Sequence, residues 1–183
     1  MIKQIVTEAR SIELENEDLN LDQVRQMYYA CPEFQKAELV RRLYNELDGM
    51  QTIVFLNTRK EADSLQKYLS SNKYLAEVLM GGNMDKEERD RIMYLFKKKE
   101  VHFLITTNLL ARGIDVEQMP MVINYSIPMR KEGTEMLPDY ESFLHRAGRA
   151  GRFHTKGVAL SLVSSPADVA FLKRIEEHYG MDI

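Results

Sequence analysis

The sequence predicts an α/β domain: a mainly parallel sheet with helices on both faces. Three observations carry this. Short apolar runs with β-branched residues, such as 52–57 and 101–106, recur along the chain. Between them lie longer stretches whose apolar residues repeat at helical spacing, as Ala62, Leu65 and Leu69 do. Glycines, prolines and capping residues punctuate the alternation. Strands that alternate with helices make βαβ units, and such units build a parallel sheet.

Taken in order, residues 7–20 are polar and acidic, with Glu8, Glu13, Glu15, Glu17 and Asp18 and few apolar anchors. They read as a linker or extended arm, so residues 1–20 are set apart from a domain at 21–183. Val24–Cys31 is the first expected strand. Pro32 is placed to open a helix that runs to about Asp48 and stops at Gly49. Thr52–Asn57 is a buried strand, and Thr58 with Glu61 forms a capping box for the next helix. Ala76–Met80 is a strand followed by Gly81 and Gly82. Asp85 to Glu88 caps a helix through Phe96. Strands are expected at Val101–Thr106 and Met121–Ile127, and residues 129–139, polar and holding Gly133 and Pro138, are expected to be a loop. A short helix spans Tyr140–Ala147, Gly157–Val163 is the last strand, and Ser165, Pro166 and Asp168 open a closing helix.

Composition sets limits. At 183 residues the chain is large enough for one domain with a proper core. No apolar run approaches a membrane span, and the first residues carry no signal-peptide pattern. The single Cys31 has no partner for an internal disulfide, which fits a reducing compartment, and it is expected in a strand as a buried apolar residue. A net charge of −3 argues against a surface coated for nucleic acid but allows a local basic groove. Four histidines and one cysteine, with no close pairing, give no metal site.

Residues 145–152 are the most informative stretch. His145, Arg146, Arg149 and Arg152 fall within eight positions, with Gly148 and Gly151 each preceding an arginine. The guanidinium makes paired hydrogen bonds to oxyanions and keeps its charge. Glycine lets backbone approach backbone or ligand closely. Thr107 to Asp115 comes directly off a buried strand: its hydroxyls and turn amides suit a phosphate, and Asp115 suits a ribose hydroxyl. A strand-to-helix turn with Thr107 as cap and Asp115 paired to an arginine explains the same residues. Thr58 is likewise explained by capping alone, and Arg89 by solvation on a helix. Arg130, Lys131 and Lys156 read as surface charges. There is no G-x-x-x-x-G-K-[ST] phosphate loop and no acidic run after a strand for magnesium. The arginines are therefore half of a nucleotide site.

The order of four segments resembles the C-terminal half of a DEAD-box RNA helicase. They are Val54-Phe55-Leu56-Asn57-Thr58-Arg59, then Gly82 with Arg89, then Thr107-Asn108 with Ala111-Arg112-Gly113-Ile114-Asp115, then His145 to Arg152. Asn108, where the family usually has Asp, and the long segment Met129–Asp139 resemble the branch that remodels messenger ribonucleoprotein at the nuclear pore. The resemblance implies a three-layer RecA-like lobe that works with an N-terminal RecA-like lobe, ATP and RNA binding between them. It implies that Arg149 and Arg152 are arginine fingers, that Asp115 and Gly113 meet the nucleotide, and that His145 and Arg146 couple the ATP and RNA sites. It places single-stranded RNA on Asn57, Thr58, Arg59, Gly82, Arg89, Thr107 and Gly113. Magnesium is held by the other lobe. An activator bridged by inositol hexakisphosphate, and residence in cytoplasm and nucleus and at the pore, follow for that branch. This chain alone is expected to be inactive, as part of a longer protein. A non-catalytic RNA- or activator-binding module is the competing reading, and the second lobe of a DNA helicase or translocase a weaker third. Ser126 departs from the Asp that many relatives carry, a change expected to matter for surface chemistry more than catalysis. Ala147 and Ala150 are smaller than the usual residues.

Overall fold

A computed structural model describes residues 10–13, 24–80, 84–107, 119–151 and 156–180. The elements are β1 (Arg10–Glu13), β2 (Val24–Ala30), α1 (Lys36–Glu46, entered through a 3-10 turn at Glu33–Gln35), β3 (Thr52–Leu56), α2 (Arg59–Ser71), β4 (Ala76–Leu79), α3 (Lys86–Lys97), β5 (Phe103–Thr107), β6 (Met121–Asn124), β7 (Met129–Glu132), β8 (Glu135–Pro138), α4 (Tyr140–Ala147), β9 (Gly157–Val163) and α5 (Pro166–Tyr179). Seven strands form one sheet in the order β1-β2-β9-β6-β3-β5-β4. β1 is antiparallel to β2, and the other neighbours all pair parallel. This is the α/β, three-layer RecA-like arrangement. β1 falls inside the acidic segment set apart as a linker or arm, and there pairs in register with β2.

The two-residue period of a strand sorts the core into two faces. Val54 and Leu56 of β3, Ile105 of β5, Ile123 of β6 and Leu160 of β9 pack with Val40 and Leu43 of α1 and Leu65 and Leu69 of α2. Ile53, Phe55, Leu104, Val122 and Ala159 turn to the other face, against Ile92 and Phe96 of α3 and Ala147 of α4. Leu172 and Ile175 of α5 join Phe143 of α4 and Val163 of β9 in a third cluster. A sheet buried on both faces needs continuous apolar strands, which is why β3, β5 and β6 are buried at every residue.

Three expectations need correction. Residues 129–139 are not a loop. They hold an antiparallel hairpin, with Met129 opposite Pro138 and Glu132 opposite Glu135. Gly133, the first of the two turn residues, has φ of 61°, the position where a type II′ hairpin turn takes glycine. Asp85 precedes α3 as expected, but its side chain makes no capping bond. Cys31 is buried one residue beyond β2, where its backbone N–H donates to the Val163 carbonyl at 2.9 Å. Burial raises its thiol pKa and suits the inert apolar role expected of it.

Candidate functional site

The parallel strands end together. Leu56 is level with Thr107, Leu79 with Thr106, and Phe55 with Asn124. The C-terminal ends of β3, β4, β5 and β6 therefore lie along one edge of the sheet, where open α/β sheets receive ligands. Among the expected site residues, Asn57, Thr58, Arg59 and Thr107 lie on this edge. Arg89 is in the first half of α3. His145 and Arg146 are in the last turn of α4, and Arg149 follows it. Gly82, Gly113, Asp115 and Arg152 lie outside the described residues.

Arg146 is wholly buried, 0% exposed. Its guanidinium Nη1 donates to the Ser126 carbonyl at 2.7 Å and to Asn124 Oδ1 at 3.4 Å. Nη2 donates to Asn57 Oδ1 at 3.0 Å and to the Leu56 carbonyl at 3.4 Å. The Phe55 ring lies 5.3 Å away, at cation–π range. Asn57 Nδ2 donates in turn to the Ile127 carbonyl at 2.7 Å. Desolvation pulls the Arg146 pKa down to about 9, and the charges of Asp139 and Glu61 oppose that fall. A planar five-donor fork is the side chain that can bridge two strand ends at once. Arg146 faces inward and ties α4 to the ends of β3 and β6.

Glu61 closes the arrangement from α2. Its Oε2 accepts from the Thr58 backbone N–H and the Thr58 hydroxyl, both at 2.8 Å, and its own N–H donates to the Thr58 hydroxyl at 3.2 Å. This is the capping box read from the sequence. Oε1 accepts from Ser126 Oγ at 3.1 Å. Thr58 is thus exposed but occupied as a cap. Arg59, at the first position of α2, leaves its side chain 72% exposed and only 3.9 Å from Asp63. Such a pair is weak, so the guanidinium is available to an anion.

Thr107 is buried at the end of β5, its hydroxyl 3.9 Å from Met80 Sδ. Arg89 is half-buried, and its Nε is buried with no hydrogen-bond partner among the described residues. His145 and Arg149 are half-buried. The Arg149 carbonyl accepts from the Met119 N–H at 2.7 Å, and the Gly151 N–H donates back to the Met119 carbonyl at 2.8 Å. Gly151 has φ of 93°, and a Cβ on Gly157 would fall 1.9 Å from the Gly151 nitrogen. The glycines at 151 and 157 exist so that the arginine motif can lie against the start of β9. Gly148 has ordinary helical angles.

Sequence reading did not single out Asn124 or Glu61 as site residues. Asn124 is fully buried and donates to Ser161 Oγ at 3.2 Å. The available signals were a lone polar residue ending an apolar strand and a capping carboxylate with a second oxygen to use. Among the described residues no group of three or more His, Cys, Asp or Glu could hold a metal ion, and no helix is long and apolar enough to cross a membrane.

The helicase conserved C-terminal domain model matches residues 35–154. The solved C-terminal domain of the DEAD-box protein Dbp5 aligns with a TM-score of 0.77 at 34% identity, covering 88% of each chain. The chain belongs to the DEAD-box helicase C-terminal domain family. Among full-length relatives it is 37% identical to the ATP-dependent RNA helicase DBP5 of Lodderomyces elongisporus, over 98% of this chain and 35% of that protein. It is 36% identical to human ATP-dependent RNA helicase DDX19A, over 99% of this chain and 37% of that one. It thus spans little more than a third of these relatives. S. cerevisiae Dbp5 bound to RNA and ADP BeF3 aligns with a TM-score of 0.75 at 34% identity, over 86% of this chain and 39% of that one. A Dbp5 variant from the same yeast, bound to Nup159, a Gle1 variant, IP6 and ADP, aligns with a TM-score of 0.76 at 32% identity, over 88% and 41%.

Proposed function

We propose that this domain acts as the second lobe of an RNA-dependent ATPase that remodels RNA or ribonucleoprotein in mRNA export. Residues 1–20 lead in from a first lobe, with β1 joining the edge of the sheet, and residues 21–183 form the rest of the lobe. The first lobe brings the phosphate loop and the magnesium of ATP, while this lobe brings positive charge. Arg149 and Arg152 neutralise charge on the transferring phosphoryl group. Asp115 and Gly113 meet the nucleotide. Asn57, Thr58, Arg59, Gly82, Arg89, Thr107 and Gly113 hold one RNA strand by its backbone, which carries little sequence information. His145 and Arg146 couple the two sites.

One observation carries this reading: the buried Arg146 bridge from the arginine-bearing helix α4 to Asn57 at the end of β3. A shift of the arginine motif on ATP therefore has a direct mechanical route to the RNA-facing strand end. The yeast structure with RNA and ADP BeF3 supports the ligand pair. The yeast complex with Nup159, Gle1, IP6 and ADP supports an activator docked through inositol hexakisphosphate, and with it a place at the nuclear pore between nucleus and cytoplasm.

The test is Arg149→Ala in a protein carrying both lobes. ATP turnover should fall by roughly 10³-fold or more, with circular dichroism and RNA binding close to wild type. Undiminished turnover would remove the arginine-finger assignment of Arg149.

A further inference from the structure

A capping box needs only one carboxylate oxygen. Glu61 uses Oε2 for that purpose and directs Oε1 at Ser126, sixty-five residues away in sequence, at 3.1 Å. Ser126 is itself held from the other side, because its carbonyl receives Arg146 Nη1 at 2.7 Å. Arg146 then reaches Asn57, Asn57 reaches the Ile127 carbonyl, and Thr58 returns to Glu61. The bonds form a closed ring through residues 57–58, 126–127, 61 and 146.

We propose that Glu61 is a positioning residue for the RNA-facing segment Asn57–Arg59, acting by tying Thr58 to Ser126 across the ends of β3 and β6. The inference rests on the RNA-binding role proposed above for that segment. The ring fixes both faces of the segment. Arg146 holds Asn57 from within the protein, and Glu61 holds Thr58 from the surface. Arg59 follows directly, so the ring also sets where its exposed guanidinium projects. Position 126 must then be a donor without charge. An aspartate there would set a second carboxylate against Glu61, and like charges at hydrogen-bond range repel strongly. The serine that departs from the Asp of many relatives is, on this account, matched to the glutamate of α2.

The test uses this chain with Ser126→Asp, Ser126→Ala, Glu61→Gln and the double variant Ser126→Asp/Glu61→Gln. Gln can keep the capping box while removing the charge, so the first turn of α2 is retained. Two readouts are taken: the side-chain amide NMR signal of Asn57, and affinity for a labelled single-stranded oligouridylate. Ser126→Asp should displace the Asn57 signal and weaken oligouridylate binding about tenfold, and the double variant should recover most of it, as expected for a directly coupled pair. Ser126→Ala should move the Asn57 signal the same way with a smaller loss of affinity. A Ser126→Asp protein with an unmoved Asn57 signal, or a loss that Glu61→Gln does not relieve, would overturn the proposal. If neither the wild-type chain nor a two-lobe protein carrying it bound oligouridylate, the RNA role of the segment would fail, while the Asn57 signal would still decide whether Glu61 positions it.

Discussion

At the residue scale, Arg146 shows what the fold adds to a motif of like residues. Read from chemistry alone, Arg146, Arg149 and Arg152 are equivalent phosphate clamps. The fold turns Arg146 into the protein, where carbonyl and amide oxygens receive its donors. Sequence does not display this, because the direction of a helical side chain depends on which face of α4 is buried, and an eight-residue helix gives that signal weakly. A second buried titratable group, Glu176, bears on stability. Glu176 on α5 is 7% exposed, its Oε1 has no hydrogen-bond partner among the described residues, and desolvation pushes its pKa up to about 7. A carboxyl raised in the folded state contributes stability below its unfolded pKa, and that stability is lost as pH rises through about 7. Glu176→Gln should therefore stabilise the protein by about 1–2 kcal/mol near pH 8 and by much less near pH 5, as read by urea denaturation at both values. Equal effects at both would mean that folding does not raise the pKa of this carboxyl.

At the element scale, what was legible followed physical signal strength. The α2 capping box and the Ser165–Asp168 box of α5 both form as their residues require. The central strands β3, β5 and β6 were legible because burial on both faces makes them almost wholly apolar. The β7–β8 hairpin was not, because Met129–Glu132 is polar and almost wholly exposed, with no alternation to read. Gly133 was noticed, but as loop punctuation. The start of β9 hides a harder constraint. Gly157→Ala would drive a Cβ to 1.9 Å from the Gly151 nitrogen, a backbone contact that no rotamer relieves. We expect a loss of roughly 1–3 kcal/mol or more, seen as a lowered melting temperature, with the arginine motif displaced from Met119. A melting temperature equal to wild type would show that Gly151 and Gly157 are not in contact.

At the scale of the whole molecule, the domain is an α/β sheet whose strand ends gather cationic and polar groups, on a chain of net charge −3. Charge is therefore local, and affinity for RNA should weaken as salt rises. The site was legible as an ordered set of segments but not as a mechanism. The bonds that join those segments run between residues up to 90 positions apart, Leu56 to Arg146, and no local pattern reports them. The half-site character of the chain is the central claim, and RNA-stimulated ATP hydrolysis tests it most directly. We would measure it for this chain alone and for the chain behind a first lobe that carries the phosphate loop. The account predicts no turnover from the chain alone and RNA-dependent turnover from the two-lobe protein. Hydrolysis by the chain alone would contradict it, because a complete nucleotide site would then have to exist within these 183 residues.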